Sequence, residues 1–306
     1  MMRILLLGLL LAGSTAINSY GQDGGLAFLR IGANASASSM GDAQVSSSSD
    51  AFSTFWNPAG LAAAQSNSLA LSHHIWLADT RNYYITGRFQ AGDNSGFGAF
   101  VSAFDSGDFD ARVGPGERDG VFSAQFIGVG ASYGQAIGPV RFGVTAKFLS
   151  EQVFNEDATG YAFDFGLQAD FFQEGIKIGA ALQNVGEMTE LNVESTQLPR
   201  TLRAGISIYP FRVLAMADGT VLLNAFLTGE VSHITNLDQT RFHIGAAAEV
   251  VELVTVRAGF ITNDDLRGLS IGGGLGSNGF LFDYAFLPFD DGFGGPGHVL
   301  SLLYEW

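Results

Sequence analysis

Residues Tyr161–Phe171, YAFDFGLQADF, alternate in character from one position to the next. Tyr161, Phe163, Phe165, Leu167, Ala169 and Phe171 share one parity; Ala162, Asp164, Gly166, Gln168 and Asp170 share the other. A period of two belongs to a β-strand, whose successive side chains leave opposite faces. One face here is apolar and mostly aromatic, and the other is polar and small. In a soluble sandwich the aromatic face packs on a second sheet. In an outer-membrane barrel it meets lipid while the polar face lines a wet lumen. Ten residues at about 3.3 Å each, tilted by about 40°, span roughly 25 Å, the height of the apolar band of such barrels. Length alone does not choose between the two, so the choice rests on how often the unit recurs and on how the chain begins and ends.

The unit recurs throughout. Alternation marks strands over 67–77, 81–91, 95–104, 121–137 and 139–149 before it, then 176–184, 201–209, 221–231, 241–250, 253–261, 269–275, 279–287 and 298–306 after it. That makes about fourteen strands joined alternately by tight turns and longer loops, as in an antiparallel barrel with an even strand count. The sequence therefore predicts an all-β fold, a transmembrane antiparallel β-barrel of about fourteen strands over residues 67–306. The polar parity carries Arg141, Lys147, Asp164, Asp170, Arg203, Arg241, Glu249, Arg257 and Asp283, expected to face the lumen. A slip of one residue in any such strand moves its charge into lipid, at about 2–4 kcal/mol for a mid-membrane Arg or Lys, so register is firmly set. Both signs are present, and internal ion pairing is the simpler reading than an ion filter.

Composition agrees with a barrel. Of 306 residues 47% are hydrophobic and only 15% charged, with 41 Gly, 26 Phe and no Cys. Past the N-terminus no apolar run is long enough for a membrane helix. A net charge of -15 speaks against a nucleic-acid partner, because phosphate binding needs a basic face. Asp105, Asp108, Asp110, Asp290 and Asp291 fall in loops without EF-hand spacing and read as solvated. No motif for a metal, phosphate or cofactor is present. His73, His74, His233, His243 and His298 have no nucleophile placed beside them, so no catalytic residue and no enzymatic activity is expected.

Residues 1–21 read as a secretory signal: Arg3, an apolar stretch from Ile4 to Ala12, then small residues with cleavage after Ala16 or Gly21. The chain is thus expected to be exported to the outer membrane. Residues 22–66 lack the alternation and are rich in Ala and Ser, yet keep Phe28, Phe52, Phe55 and Trp56. Asp50 begins a helical turn, and Pro58 pushes Asn57 out of the helical region. A fourteen-stranded barrel is wider than the eight strands that side chains alone can fill, so this segment is predicted to lie inside the barrel as a plug.

The same segment carries a family resemblance. Phe28-Leu29-Arg30-Ile31-Gly32, Met40-Gly41-Asp42-Ala43, Asp50-Ala51 and Trp56-Asn57-Pro58-Ala59-Gly60-Leu61 resemble the opening of the PorV/PorQ family, within the wider FadL-like group of fourteen-stranded outer-membrane barrels. Trp306 is similar to the closing aromatic residue of such barrels. The resemblance implies a plug motif formed by Phe28, Arg30, Gly32, Met40, Gly41, Asp42, Trp56, Asn57, Pro58 and Gly60. It also implies a role in the type IX secretion system, binding or shuttling exported proteins, or else FadL-like transport of hydrophobic small molecules. For the first role, cargo and other secretion-system proteins are expected at loops around 105–119, 150–159, 185–199, 212–219 and 288–297. The second needs an apolar pocket, for which Phe100, Phe104, Leu222 and Phe226 are inward candidates, although packing against the plug is the simpler reading of them, and a break in the wall, for which Gly272–Gly274 is the candidate kink. Outer-membrane lipid is the expected surroundings in either case.

Overall fold

The structure, a computed structural model, describes residues 26–63, 66–77, 80–107, 109–111, 120–172, 175–191, 194–210, 223–250, 253–289 and 295–306. The predicted leader, Asp108, Leu222, Asp290 and Asp291 lie outside those residues. Fourteen antiparallel strands close into one barrel, each paired with its neighbours in sequence and the first with the last. They are β1 (Ser68–Ile75), β2 (Arg81–Gln90), β3 (Ser95–Asp105), β4 (Ala124–Ile137), β5 (Val140–Val153), β6 (Glu156–Phe171) and β7 (Ile176–Met188). The second half comprises β8 (Thr201–Ile208), β9 (Leu223–Ile234), β10 (Gln239–Val250), β11 (Val254–Ile261), β12 (Leu269–Ser277), β13 (Phe280–Leu287) and β14 (Gly297–Glu305).

The two faces of the wall decide what surrounds it. Tyr161, Phe163, Phe165, Leu167 and Phe171 are each 40–50% exposed, whereas Ala162, Asp164 and Gln168 on the opposite parity are at most 2% exposed. Among the described residues no second sheet covers the aromatic face. It is the hydrocarbon-facing surface, and the buried side of this protein is the lumen. Along β1, Leu69 and Leu71 are exposed while Ser72 and His74 are buried, so the same inversion holds at the seam. Both ends of the wall join at one end of the barrel, together with the tight turns at Gly138 and Asn278-Gly279. In bacterial barrels that end faces the periplasm and the longer loops face outside.

Inside lies residues 26–63, folded as four short helical turns, Ala27–Arg30, Ala35–Ser38, Ser53–Trp56 and Pro58–Ala62. Ala33, Ala35, Ala37, Ala43, Ala51 and Ala59 are fully buried. Their smallness lets the backbone approach the wall, and the wall reciprocates with glycine. A Cβ on Gly143 would lie 2.1 Å from the Pro58 carbonyl carbon, one on Gly166 2.0 Å from Asn57 Oδ1, and one on Gly259 2.1 Å from the Met40 carbonyl carbon.

Several expectations about loops change. Residues 150–159 are strand, because β5 and β6 continue into a hairpin that turns at Phe154-Asn155. The predicted strand 121–137 breaks in two: Gly120–Phe122 pairs with Phe109–Ala111, and β4 starts at Ala124. A pinch between Ser106 and Ala124 causes the break, with Ser106 N donating to the Ala124 carbonyl at 3.0 Å and Ala124 N donating to Ser106 Oγ at 2.8 Å. β7 runs on to Met188, followed by a small hairpin of Glu190–Leu191 and Glu194–Ser195. β8 ends and β9 begins at the tight-turn end, and the proposed cargo segment 212–219 lies outside the described residues. Pairing through Gly272–Gly274 is regular on both sides, so no kink occurs there.

The wall's irregularity is instead a β-bulge between β6 and β7, where register shifts between Phe163 and Phe165. Asn184 takes a left-handed φ of 60° there. The extra residue brings Asn184 inward, where its N–H donates to Asp164 Oδ1 and its Oδ1 accepts from Lys147 Nζ, both at 2.8 Å. A bulge that re-aims one side chain satisfies a buried charge that a regular ladder would leave short.

If the aromatic face sits in hydrocarbon, Phe163→Arg in lipid vesicles lowers the unfolding free energy by about 2–4 kcal/mol in a urea titration. The same substitution at exposed Phe154, beyond the apolar band, changes it by less than about 0.5 kcal/mol.

Candidate functional site

The site is the occupied lumen and its outer mouth. The lumen charges predicted from parity meet in cross-strand pairs. Arg141 forks onto Asp170 at 2.5 and 2.7 Å, Lys147 reaches Asp164 at 2.7 Å, and Arg257 reaches Asp283 at 2.6 Å. Arg203 pairs with Glu230 on the next strand. Arg241 pairs at 2.9 Å with Asp264, which lies in the loop between β11 and β12. Glu249 accepts from Asn224 Nδ2 at 3.2 Å. Among the described residues no group of three or more His, Asp or Glu is arranged to hold a metal ion.

The N-terminal segment is fastened to these walls residue by residue. Phe28 stacks on Phe126 at 5.4 Å beneath the outer mouth, and Ala35 N donates to Ser301 Oγ at 2.7 Å. Gly32 packs so closely that a Cβ would meet Asp42 Oδ1 at 2.7 Å, and at Gly60 one would meet the Ser48 carbonyl oxygen at 2.2 Å. Met40 is buried, and Gly41 follows with φ 65° against the backbone of Phe260. His243 Nδ1 donates to the Gly41 carbonyl at 2.7 Å, which leaves Nε2 to accept from Ser232 Oγ, also at 2.7 Å.

Asp42 is the electrostatic centre of the segment. Its Oδ2 meets Arg267 Nη1 at 2.6 Å, and its carbonyl accepts from Arg203 Nη2 at 2.8 Å. Burial alone would raise the Asp42 carboxyl, but Arg267, aided by Arg203, outweighs burial and holds it below the usual carboxylate range. Arg267 also touches Asp264 at 3.2 Å, so it bridges the segment to the outer loop. The guanidinium of Arg203 lies 4.9 Å over the Trp56 ring, whose Nε1 donates to Asn34 Oδ1 at 2.8 Å.

Asn57 fastens the other side. Its Nδ2 lies within reach of three carbonyls, Val45 at 2.8 Å, Leu167 at 3.0 Å and Ala180 at 3.3 Å. Its Oδ1 caps the following helical turn by accepting from Ala59 N at 3.1 Å, with Pro58 at the first helical position. Inward positions of the wall also supply contributors outside the motif that the sequence reading did not single out. Arg88 Nε donates to the Leu61 carbonyl at 2.9 Å, Gln168 Nε2 to the Val45 carbonyl at 3.1 Å, and Gln183 Nε2 to the Phe55 carbonyl at 2.6 Å.

Of the residues expected to line a pocket, Phe100 stacks on Tyr84 at 5.2 Å in the cluster around Phe52 and Trp56, and Phe226 stacks on Tyr209 at 5.1 Å. Phe104 borders a cup of about 340 Å³ at the outer mouth. One wall of the cup is apolar (Phe28, Ile31, Trp76, Phe104, Phe126) and the other is charged (Arg30, Arg241, Asp264, Arg267).

The model of the family described as type IX secretion system protein PorV matches residues 21–165. No curated protein sequence matches the chain. Among solved structures, the Ralstonia pickettii toluene transporter TbuX is similar with a TM-score of 0.62 and 13% identity, over 90% of this chain and 97% of that one. The P. putida toluene transporter TodX gives a TM-score of 0.61 at 10% identity, over 90% of this chain and 98% of that one. The CymD monoaromatic hydrocarbon channel gives 0.59 at 12%, over 90% and 97%. At these identities the likeness establishes the FadL-like barrel fold alone.

Two outcomes follow from the electrostatics. Arg267→Met strands Asp42 without its cation, while Asp264 keeps Arg241, and lowers stability by about 3–5 kcal/mol; adding Asp42→Asn restores part of that, read as coupling in a double-mutant cycle. Burial, with Glu305 and Asp283 adding to it, pushes Asp50 up to about 6. The folded state therefore holds that proton more tightly than the unfolded chain, so Asp50 loses stability for the protein as pH rises through about 4 to above 6. Asp50→Asn keeps the acceptor for Phe52 N; it should match wild type at pH 4 and melt higher than wild type at pH 8.

Proposed function

We propose that this chain, whose residues 21–165 match the model of the family described as type IX secretion system protein PorV, is a type IX secretion-system component engaging exported proteins at its long-loop end. In this reading residues 1–21 are the export signal, and residues 26–63 are a plug that keeps the barrel from being a conduit. The observation that carries the reading is the filled lumen: from Leu26 to Leu61 the chain's own backbone occupies the space a translocating polypeptide would need. A barrel without a polypeptide-wide path serves secretion by binding, and its outer loops are the surface left to bind with. The ion pairs at Asp42, Arg203 and Arg267 hold the plug in place in this account, and the remaining lumen charges are structural.

A second reading is favoured by the half-aromatic cup at the outer mouth, bordered by Phe28, Trp76, Phe104 and Phe126. Such a cup suits a small hydrophobic molecule, as the names of the structurally similar toluene transporters suggest for those proteins.

Affinity capture separates the two. The tagged full chain, extracted in detergent, is expected to retain the C-terminal sorting domains of exported proteins, and its deletion is expected to leave those proteins inside the cell. Recovery of a bound apolar small molecule with no sorting domain would instead support the second reading and defeat the first.

A further inference from the structure

The wall does not end at one height. β11, β12 and β13 stop at outward Phe260, Leu269 and Phe286, apolar to the last position. β5 and β6 continue past theirs. Phe148 and Tyr161, the last outward aromatic residues there, stand opposite each other; above them Ser150 faces Thr159 and Gln152 faces Asp157. Those four further residues, at about 3.3 Å each and tilted by about 40°, lift this corner of the wall about 10 Å clear of hydrocarbon. Spanning takes about nine to eleven residues per strand, whereas β5 has 14 and β6 has 16. The surplus sheet turns an outward face to water, on which Gln152 and Asp157 are exposed.

The tip of the corner carries an exposed aromatic ring. Val153 pairs with Glu156, so Phe154 and Asn155 make a two-residue hairpin turn. Phe154 has a left-handed φ of 58° at the first turn position, one that glycine fills in the favoured turn of this kind. The fold alone would be better served by glycine. Phe154 is 62% exposed, above the lipid that solvates the other outward rings. The exposed charges beside it are acidic: Glu156 and Asp157 on β6, Glu187 on β7 and Glu190 just beyond. Between Phe148 and Pro199 the only basic residue is Lys177, at the opposite end of β7. An apolar knob among carboxylates repels a phosphorylated lipid headgroup. It complements a protein surface that sets an apolar socket among lysines and arginines.

We propose that the raised β5–β6 corner docks the sorting domains of exported proteins through a basic surface on those domains, with Phe154 seated in an apolar socket. The docking rests on the reading of the chain as a secretion-system component, and it names the face and the charge by which cargo is engaged. The carboxylates steer the encounter, and the buried ring holds the complex once formed.

The test titrates the full chain in detergent with a purified sorting domain at low and at high salt. Wild type is expected to bind, and to bind more weakly as salt rises. Phe154→Gly suits the turn at least as well, so it keeps its melting temperature while binding about tenfold more weakly. Asp157→Lys lowers affinity about fivefold and flattens the salt dependence. Asp93→Lys makes the same change in net charge in the exposed turn at the other end and leaves affinity unaltered. If Phe154→Gly and Asp157→Lys both bind as tightly as wild type, the proposal is overturned, and cargo engagement at other loops still stands. Wild-type affinity that is indifferent to salt overturns it too, because the partner surface is then not basic. Failure of wild type to retain any sorting domain defeats the secretion reading itself, and this docking with it.

Discussion

Hydrocarbon offers the backbone no hydrogen-bond partner, so every N–H and C=O in the wall must be answered by another strand. β1 meets β14 from Ser68 opposite Glu305 to Ile75 opposite His298, and reciprocal bonds of 3.0 and 3.1 Å between Asn67 and Trp306 carry the seam one residue further. The rest of the architecture is a consequence of that closure. Fourteen strands enclose more space than their own side chains fill, and the polar parity of those strands is committed to the inside. The chain answers with a segment of alanines and serines, seated against inward glycines whose missing Cβ atoms leave room for its backbone.

What holds that segment is electrostatic and directional more than hydrophobic. Glu230 accepts from Val45 N at 2.9 Å while pairing with Arg203, which also reaches the Asp42 carbonyl and lies over Trp56. Buried ion pairs add little net stability compared with well-packed apolar groups, but breaking one member is costly. A network of this kind therefore selects one seating of the segment among the many that small, smooth side chains would otherwise allow. The aromatic cluster of Phe52, Trp56, Tyr84 and Phe100 supplies the apolar contact, and the charges supply its position.

The wall was legible in the sequence because a two-residue period leaves an unambiguous mark: in YAFDFGLQADF the face that meets lipid and the face that meets the lumen can be separated by eye. Strand ends were less legible. Above the apolar band outward residues no longer need to be greasy, so Ser150, Gln152, Asp157 and Thr159 read as loop although they are paired strand. The bulge at Asn184 left no signal because its cause, Lys147, lies on another strand. In the segment, the motif around Asp42 and Asn57 was visible as a resemblance, but its partners were not. Asp42 and Arg267 are 225 residues apart, and Arg267 sits in a loop where no periodicity exists to mark it. Arg88 and Glu230 were available from parity and show that inward position alone can find such partners.

The reach of Asn57 onto the carbonyls of Leu167 and Ala180 also bears on how the molecule is assembled. Those acceptors belong to two neighbouring strands and come together only after β6 and β7 have zipped, while Ser301, the anchor for Ala35, arrives with the last strand of all. The residues synthesised first thus have nothing to hold until nearly everything behind them is in place. Biogenesis must keep this stretch unattached and uncommitted at the start, and its docking marks the end of the process.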